Sequence, residues 1–410
     1  MLKFSIIFLF LSNSLLVFSD TTKIPASLTL DTRYFSNSNQ QYDMRGIPQF
    51  GYEMSLLRGK LLEVMTDKTF MGETTFKRSV LFFFSEIIGA YYMDLSFITA
   101  YHELGHASRI ASLGYGYSFD GGSTSFFSYY FNKLGDNGGY TISGSQNFVL
   151  PEQRRFFTSG KDFTPYANIL IQTAGLNSST HYAGHLAKKG IEDGFHTSHF
   201  FSYTFAKLNS YIYPENITGV RVGDIANILD SYRDLGVGDY NEKDIKDYSL
   251  VSFLGSISTW SYFKSVGNYF SNGNTVFSRQ TTRIQIPDFE TYFTSKGISV
   301  KGITSYQIND ELVLPFSIEH VFRGKHVTEY GIGARYKLKS DLQDVLSLNL
   351  LMGLSAGGKV DYQFDPWIDT RFNIGANVDN LNSLDGERNI VSLKHGDIYT
   401  SFYLKGTKFF

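Results

Sequence analysis

From about Thr281 to Phe410 the chain alternates apolar and polar residues with a period of two, which restricts the fold more than any other feature. Leu346, Leu348, Leu350, Met352 and Leu354 share a face opposite Ser347, Asn349 and Gly353. Val360, Tyr362 and Phe364 oppose Asp361, Gln363 and Asp365, and Phe372, Ile374, Ala376 and Val378 oppose Arg371, Asn373 and Asn377. Tyr330, Ile332, Ala334, Tyr336 and Leu338 likewise oppose Glu329, Arg335 and Lys337. Side chains on a strand alternate between faces, so these are strands with one apolar and one polar or small side. Gly357-Gly358 reads as a tight turn between two of them. Ser27 to Phe35 repeats the pattern near the other end, and a weaker strand is expected over Gln49 to Met54.

Strands of about ten residues joined by short turns are what a transmembrane β-barrel requires, because lipid leaves no backbone group to water and the sheet must close. A soluble sandwich or lipocalin-like barrel produces the same alternation. The aromatic share of 16%, with 28 Tyr and 37 Phe, suits strands that face lipid. The last strand carries Ile398, Thr400, Phe402 and Leu404 on one face and ends on Phe410. It resembles the C-terminal signal of Gram-negative outer-membrane barrels. That resemblance implies an outer-membrane location, surrounding lipid, and a barrel-assembly machinery as a partner during insertion. Ser27 to Phe35 is the expected neighbour for that final strand. Lys3 followed by apolar runs at Phe4 to Phe10 and Leu15 to Phe18 reads as a signal peptide over residues 1–19; an uncleaved anchor helix is the alternative.

Between the two sets of strands the periodicity turns helical. A long apolar stretch over residues 78–113 nearly suffices to span a bilayer, but Glu86 and Asp94 lie inside it and favour burial in protein over a lipid-facing span. Residues 114–160, with Gly121-Gly122 and Asp136 to Gly139, read as loops or a hairpin. Further helices are expected from Pro165 to about Lys189, stopped by Gly190, then over Val222 to Leu235 and Glu242 to Phe270. The expected fold is therefore α+β: an antiparallel transmembrane-type barrel of about 8–12 strands built from the chain's two ends. The order is signal peptide 1–19, N-terminal barrel strands 20–75, helical insertion 76–275 and C-terminal strands 276–410.

The insertion holds the residues that carry chemistry. In His102-Glu103-Leu104-Gly105-His106 the two histidines, four apart, lie one helical turn apart and can share an ion through neutral imidazoles. Glu103 stands beside them as a base for a water that the ion acidifies. Gly105 and Ala107 keep this surface small, as a crowded helix crossing needs. The five residues resemble the HExxH metallopeptidases, the zincins, which implies a Zn2+ cofactor held by His102 and His106, Glu103 as general base, and a peptide or protein substrate.

The extended metzincin signature is missing, because no His follows over residues 109–113, and no LDG-type motif supports a site-2 protease. A catalytic zinc takes a third protein ligand. The expected source is His181, then His185, a second pair four apart, with Asn177 a turn earlier; Glu192, Asp193, His196 and His199 are weaker candidates. Tyr182 is the phenol expected to steady an oxyanion, and Glu86 and Asp94 can orient imidazoles. The acidic stretch from Asp230 to Asp247 lacks the EF-hand order of ligands and reads as a helix-loop-helix face.

With no cysteine, disulfides and thiolate chemistry are excluded. A net charge of -2 provides no field for nucleic acid. No Walker loop, dinucleotide fingerprint or Ser-centred elbow is present. The expected function is a zinc hydrolase tethered at the outer membrane, its site facing the periplasm or the barrel lumen. The rivals are a non-enzymatic porin-like or adhesive barrel, and a soluble periplasmic or inner-membrane metallopeptidase.

Overall fold

The computed structural model describes residues 24–34, 44–68, 74–112, 126–127, 130, 165–213, 223–278, 283–338, 344–353, 356–367, 369–380 and 398–410. The expected signal peptide and nearly all of the Gly-rich stretch 114–160 lie outside them. The helices are α1 (Ile47–Lys68), α2 (Thr75–Phe82), a π-helical turn (Phe83–Ile88), α3 (Gly89–Ser112), α4 (Pro165–Asp193), α5 (His199–Lys207), α6 (Asn209–Ile212), α7 (Asp224–Asp234), α8 (Glu242–Gly255) and α9 (Ile257–Asn272). The strands are β1 (Ser27–Asp31), β2 (Phe195–His196), β3 (Val276–Phe277), β4 (Asp288–Thr294), β5 (Gly297–Gln307), β6 (Leu312–Val321), β7 (Thr328–Lys337), β8 (Val345–Met352), β9 (Ala356–Trp367), β10 (Thr370–Asn380) and β11 (Ile398–Phe409).

The fold is α+β. Nine strands form one antiparallel sheet in the order β1-β11-β10-β9-β8-β7-β6-β5-β4, and β2 pairs only with β3. The first strand does sit beside the last, with Ser27 opposite Phe409 and Asp31 opposite Lys405, but it ends at Asp31, and Thr32–Tyr34 of the expected strand form a 3-10 turn. Among the described residues β1 and β4 are the two edges and do not pair with each other. Among the described residues one strand of the large sheet comes from the N-terminal part. The stretch Gln49 to Met54, expected as a strand, is the third to eighth residues of α1, where Tyr52 enters the core while Glu53 reaches β1. Its short alternation is outweighed by packing that buries Gln49, Gly51, Tyr52 and Glu53 together on the helix. Gly357 and Gly358 form no turn either; they pair with Leu351 and Leu350 inside the β8–β9 ladder.

The sheet is apolar on the outside and polar on the inside. Leu346, Leu348, Leu350 and Met352 are between 42% and 55% exposed, and Ile318, Tyr330, Ile332, Ile374, Phe402 and Leu404 are exposed as well. On the inner face Glu290, Lys301, Glu319 and Glu329 are cross-strand neighbours along β4 to β7, and all four are buried. The helices meet that polar face: Arg335 of β7 pairs with Glu192 of α4 at 2.8 Å.

Helical side chains satisfy the sheet's edges. On β1, the Thr29 N–H donates to Glu53 Oε2 at 2.8 Å. On β4, the Phe293 N–H donates to Asn177 Oδ1 at 2.9 Å and its carbonyl accepts from Asn177 Nδ2 at 2.8 Å. Thr180 donates to the Thr291 carbonyl, and Ser256 serves the Phe289 N–H at 2.9 Å. Ser256 can do this because it is the extended break, φ -76 and ψ 130, that splits the expected single helix over Glu242 to Phe270 into α8 and α9. Each bond closes a backbone group that an edge strand would otherwise leave open.

The rod Thr75–Ile110 is the one helix among the described residues long and apolar enough to cross a membrane, by length and composition. Two of its carboxylates point inward: Arg58 of α1 bridges Glu86 Oε2 at 3.1 Å and Asp94 Oδ2 at 2.9 Å, and all three are buried. Phe83, Phe84, Ile87, Ile88, Tyr91 and Tyr92 are exposed. Of the expected burial in protein, the two acids are buried and an apolar face is open. α4 also runs past Gly190, where the Phe195 ring packs, and stops only before Gly194, whose φ of +107 suits glycine.

Candidate metal centre

The HELGH motif lies on α3, where α3 crosses α4. Small residues let the helices touch: a Cβ at Gly105 would come within 2.5 Å of the Ala174 carbonyl oxygen. A Cβ at Gly175 of α4 would lie 2.5 Å from both His102 Nε2 and His106 Nε2. The two rings, one turn apart, have centroids 4.9 Å apart and turn their Nε2 atoms towards each other at 3.1 Å.

Asp224 completes the group. Its Oδ2 lies 2.8 Å from His102 Nε2 and 3.1 Å from His106 Nε2. Among the described residues these three side chains form the cluster that could hold one ion. Asp224 opens α7 after Gly223, whose φ of +112 makes the turn. Ile225, Ile228 and Leu229 then seat α7 against Ile169 and Leu176 of α4 in a shared apolar cluster. An acid in the first turn of a helix also meets the favourable end of the helix dipole. Burial alone would raise the carboxyl's pKa, but His106 and His102 outweigh it and hold Asp224 far below the usual carboxylate range.

The surroundings fix the rings. His106 Nδ1–H donates to the Ile171 carbonyl at 2.7 Å, so the neutral ring presents a lone pair at Nε2. The Tyr213 ring stacks on His102 (centroids 5.8 Å, 19° between planes), and its hydroxyl donates to Asp224 Oδ2 at 3.3 Å. Asn209 of α6 lies 3.3 Å from His102 Nδ1. Glu103 is buried beside His102.

The donor set fits a small divalent cation. A tetrahedral ion with ligand bonds of about 2.0 Å spaces its donors about 3.3 Å apart, close to the 2.8, 3.1 and 3.1 Å found here. Two imidazoles and a carboxylate are a known catalytic zinc set that leaves a fourth position open. Gly175 keeps the space in front of both nitrogens clear.

The structure brings together His102, Glu103 and His106 of the expected residues, and does not bring His181 or His185 to them. Tyr101 donates its hydroxyl hydrogen to the Met44 carbonyl at 3.0 Å and so accepts from His181 Nδ1–H at 2.8 Å. His185 lies edge-on to Tyr52, and its Nε2 has no hydrogen-bond partner among the described residues. Asn177 caps β4. Glu192 pairs with Arg335, Asp193 with Lys189, His196 with Glu63, and His199 with the Tyr52 carbonyl. Tyr182 packs on Phe97 in the aromatic core (centroids 4.8 Å), and the phenol at the site is that of Tyr213. Glu86 and Asp94 serve Arg58 rather than an imidazole.

Asp224 is one of 39 acidic residues, and nothing in its local sequence separates it from the rest. Its only signal is the Gly-Asp step that opens a helical segment. Compared with protein-family models, curated proteins and solved structures, the chain matches none of them, so the site is read from its own geometry.

Proposed function

We propose that this chain is a metal-dependent hydrolase, in its simplest form a zinc peptidase, embedded in a bacterial outer membrane. The observation that carries the catalytic half is the convergence of His102 Nε2, His106 Nε2 and Asp224 Oδ2 from two helices, with Glu103 adjacent. Zinc held there would acidify a water and polarise a scissile carbonyl. Glu103 is the base that takes the water's proton and returns it to the leaving amine. Ile171, through its carbonyl, holds the His106 ring in place, and Tyr213 holds His102 and Asp224 together.

The membrane half rests on the inverted sheet. A sheet over a water-soluble core buries its apolar face, whereas here the apolar face is open and the ionisable one is closed. Lipid as the outer solvent accounts for both. The same reading makes the nine strands a barrel wall whose seam between β1 and β4 is filled by helices: Glu53 caps one edge and Asn177, Thr180 and Ser256 cap the other.

Metal analysis of the purified chain tests the catalytic half. One zinc per chain is expected, lost in His102→Ala, His106→Ala and Asp224→Ala and kept in Glu103→Gln, which loses hydrolysis by roughly 10²–10⁴-fold. No stoichiometric metal would favour a non-enzymatic barrel. Iron would also overturn the hydrolase, because two imidazoles and one carboxylate are the facial set of non-haem iron. Heat-modifiable electrophoretic migration is expected of the folded sheet in detergent, and its absence would favour a soluble enzyme.

A further inference from the structure

We infer that Asn209 is a positioning residue that sets the tautomer of His102 and through it the metal affinity of the site; this rests on the metal-site reading above. The two ligand imidazoles are held differently. His106 Nδ1 faces the Ile171 carbonyl at 2.7 Å, a group that only accepts, so in the neutral ring the lone pair falls on Nε2. His102 Nδ1 faces a side-chain amide. Asn209 Nδ2 lies 3.3 Å from His102 Nδ1 and donates to Ser179 Oγ at 2.7 Å.

A side-chain amide can present either end. With its NH2 group towards the ring, it donates to Nδ1, the ring proton sits on Nε2, and Nε2–H donates to Asp224 Oδ2 at 2.8 Å. That state is complete without an ion. With its oxygen towards the ring, the amide accepts from His102 Nδ1–H and from the Ser179 hydroxyl together, which its two lone pairs allow. The Nε2 lone pair of His102 then stands 3.1 Å from that of His106, next to the Asp224 carboxylate. Three electron-rich atoms in that arrangement need a shared positive charge, either a proton or a metal ion. Turning one amide over therefore exchanges the ion-free state for the ion-ready state, while the imidazole stays where Tyr213 stacks on it. Groups that orient ligand imidazoles in this way commonly change metal affinity by about 10–100-fold.

The experiment is zinc affinity by chelator competition on the full chain in detergent, for wild type, Asn209→Asp and Asn209→Leu, with 15N NMR of the His102 ring in the zinc-free protein. Asp can only accept, so Asn209→Asp is expected to bind at least as tightly as wild type and to carry its ring proton on Nδ1 before zinc is added. Leu can do neither, and a loss of about 10–100-fold is expected. A purely structural role would weaken both variants alike, and that result overturns the inference, as does a Leu variant that binds as tightly as wild type. If Asn209→Leu does not fold, Asn209→Asp decides alone: weaker binding, or a proton still on Nε2, overturns it. Wild-type protein that binds no zinc overturns the metal-site reading itself, a failure seen before any variant is compared.

Discussion

Gly175→Ala is the smallest change that should disable the centre. The new methyl would lie 2.5 Å from His102 Nε2, 2.5 Å from His106 Nε2 and 2.7 Å from His102 Cδ2, where ordinary contact begins at 3.4 Å. Both rings must therefore move away by about 0.9 Å, or α3 and α4 must separate, whereas a metal site tolerates ligand displacements of only about 0.2 Å. Separation is resisted because Gly105 already holds α3 against the Ala174 carbonyl. An affinity loss of at least about 100-fold is expected, equivalent to about 2.7 kcal/mol. Overpacking should lower stability by roughly 1–3 kcal/mol. The assay is zinc content and chelator competition on the purified variant, with denaturant unfolding alongside. Gly267→Ala on α9 is the control, since nothing lies within 4 Å of its Cβ position; it should bind zinc normally and gain up to about 1 kcal/mol in helix propensity. A Gly175→Ala protein that holds one zinc as tightly as wild type would refute the reasoning, because the methyl and the ion would then not compete for the same space.

Arg58→Ala should cost about 3–5 kcal/mol in denaturant unfolding by stranding two buried carboxylates, and adding Glu86→Gln with Asp94→Asn should recover part of that loss. Asn177→Leu removes both partners of the Phe293 backbone groups and should cost roughly 1–3 kcal/mol for each group left unmet; faster amide exchange at Phe293 checks it. Leu348→Lys on the outer face should cost about 2–4 kcal/mol when the protein folds into bilayers, while Ser347→Lys, one residue along and facing inward, should be tolerated better. Equal effects of these two lysines would count against lipid on the outer side.

The alternation of the C-terminal third was legible because a strand's faces follow from sequence parity alone. Leu346, Leu348, Leu350 and Met352 point one way whatever the tertiary structure. The same parity, with the aromatic C-terminal strand, was enough to pair the first strand with the last. The HELGH spacing was similarly self-sufficient, since four residues on a helix fix two rings on one side. Three things were not legible. The brief alternation at Gln49 to Met54 is common to strands and to helices buried on several sides, and only Phe97 packed on Gly51 and Glu53 capping β1 decide for the helix. The apolar rod with Glu86 and Asp94 gave no indication of which side its charges would take until Arg58 stood opposite them. His181 and His185 had the spacing of ligands but lie elsewhere on α4.

The sequence by itself determined what repeats at short range: strand parity, helix faces, and an imidazole pair with its neighbouring carboxylate. The tertiary structure alone decided which side chain joins the imidazole pair in the proposed site. Asp224 is 122 residues from His102 and reaches it only because α7 packs on α4 through Ile225 and Ile228. Asn209 and Gly175 are at the site for the same reason. Local periodicity depends on torsion angles within a few residues, whereas a metal centre depends on which helices share a core, and that is settled by burying apolar surface across the whole chain.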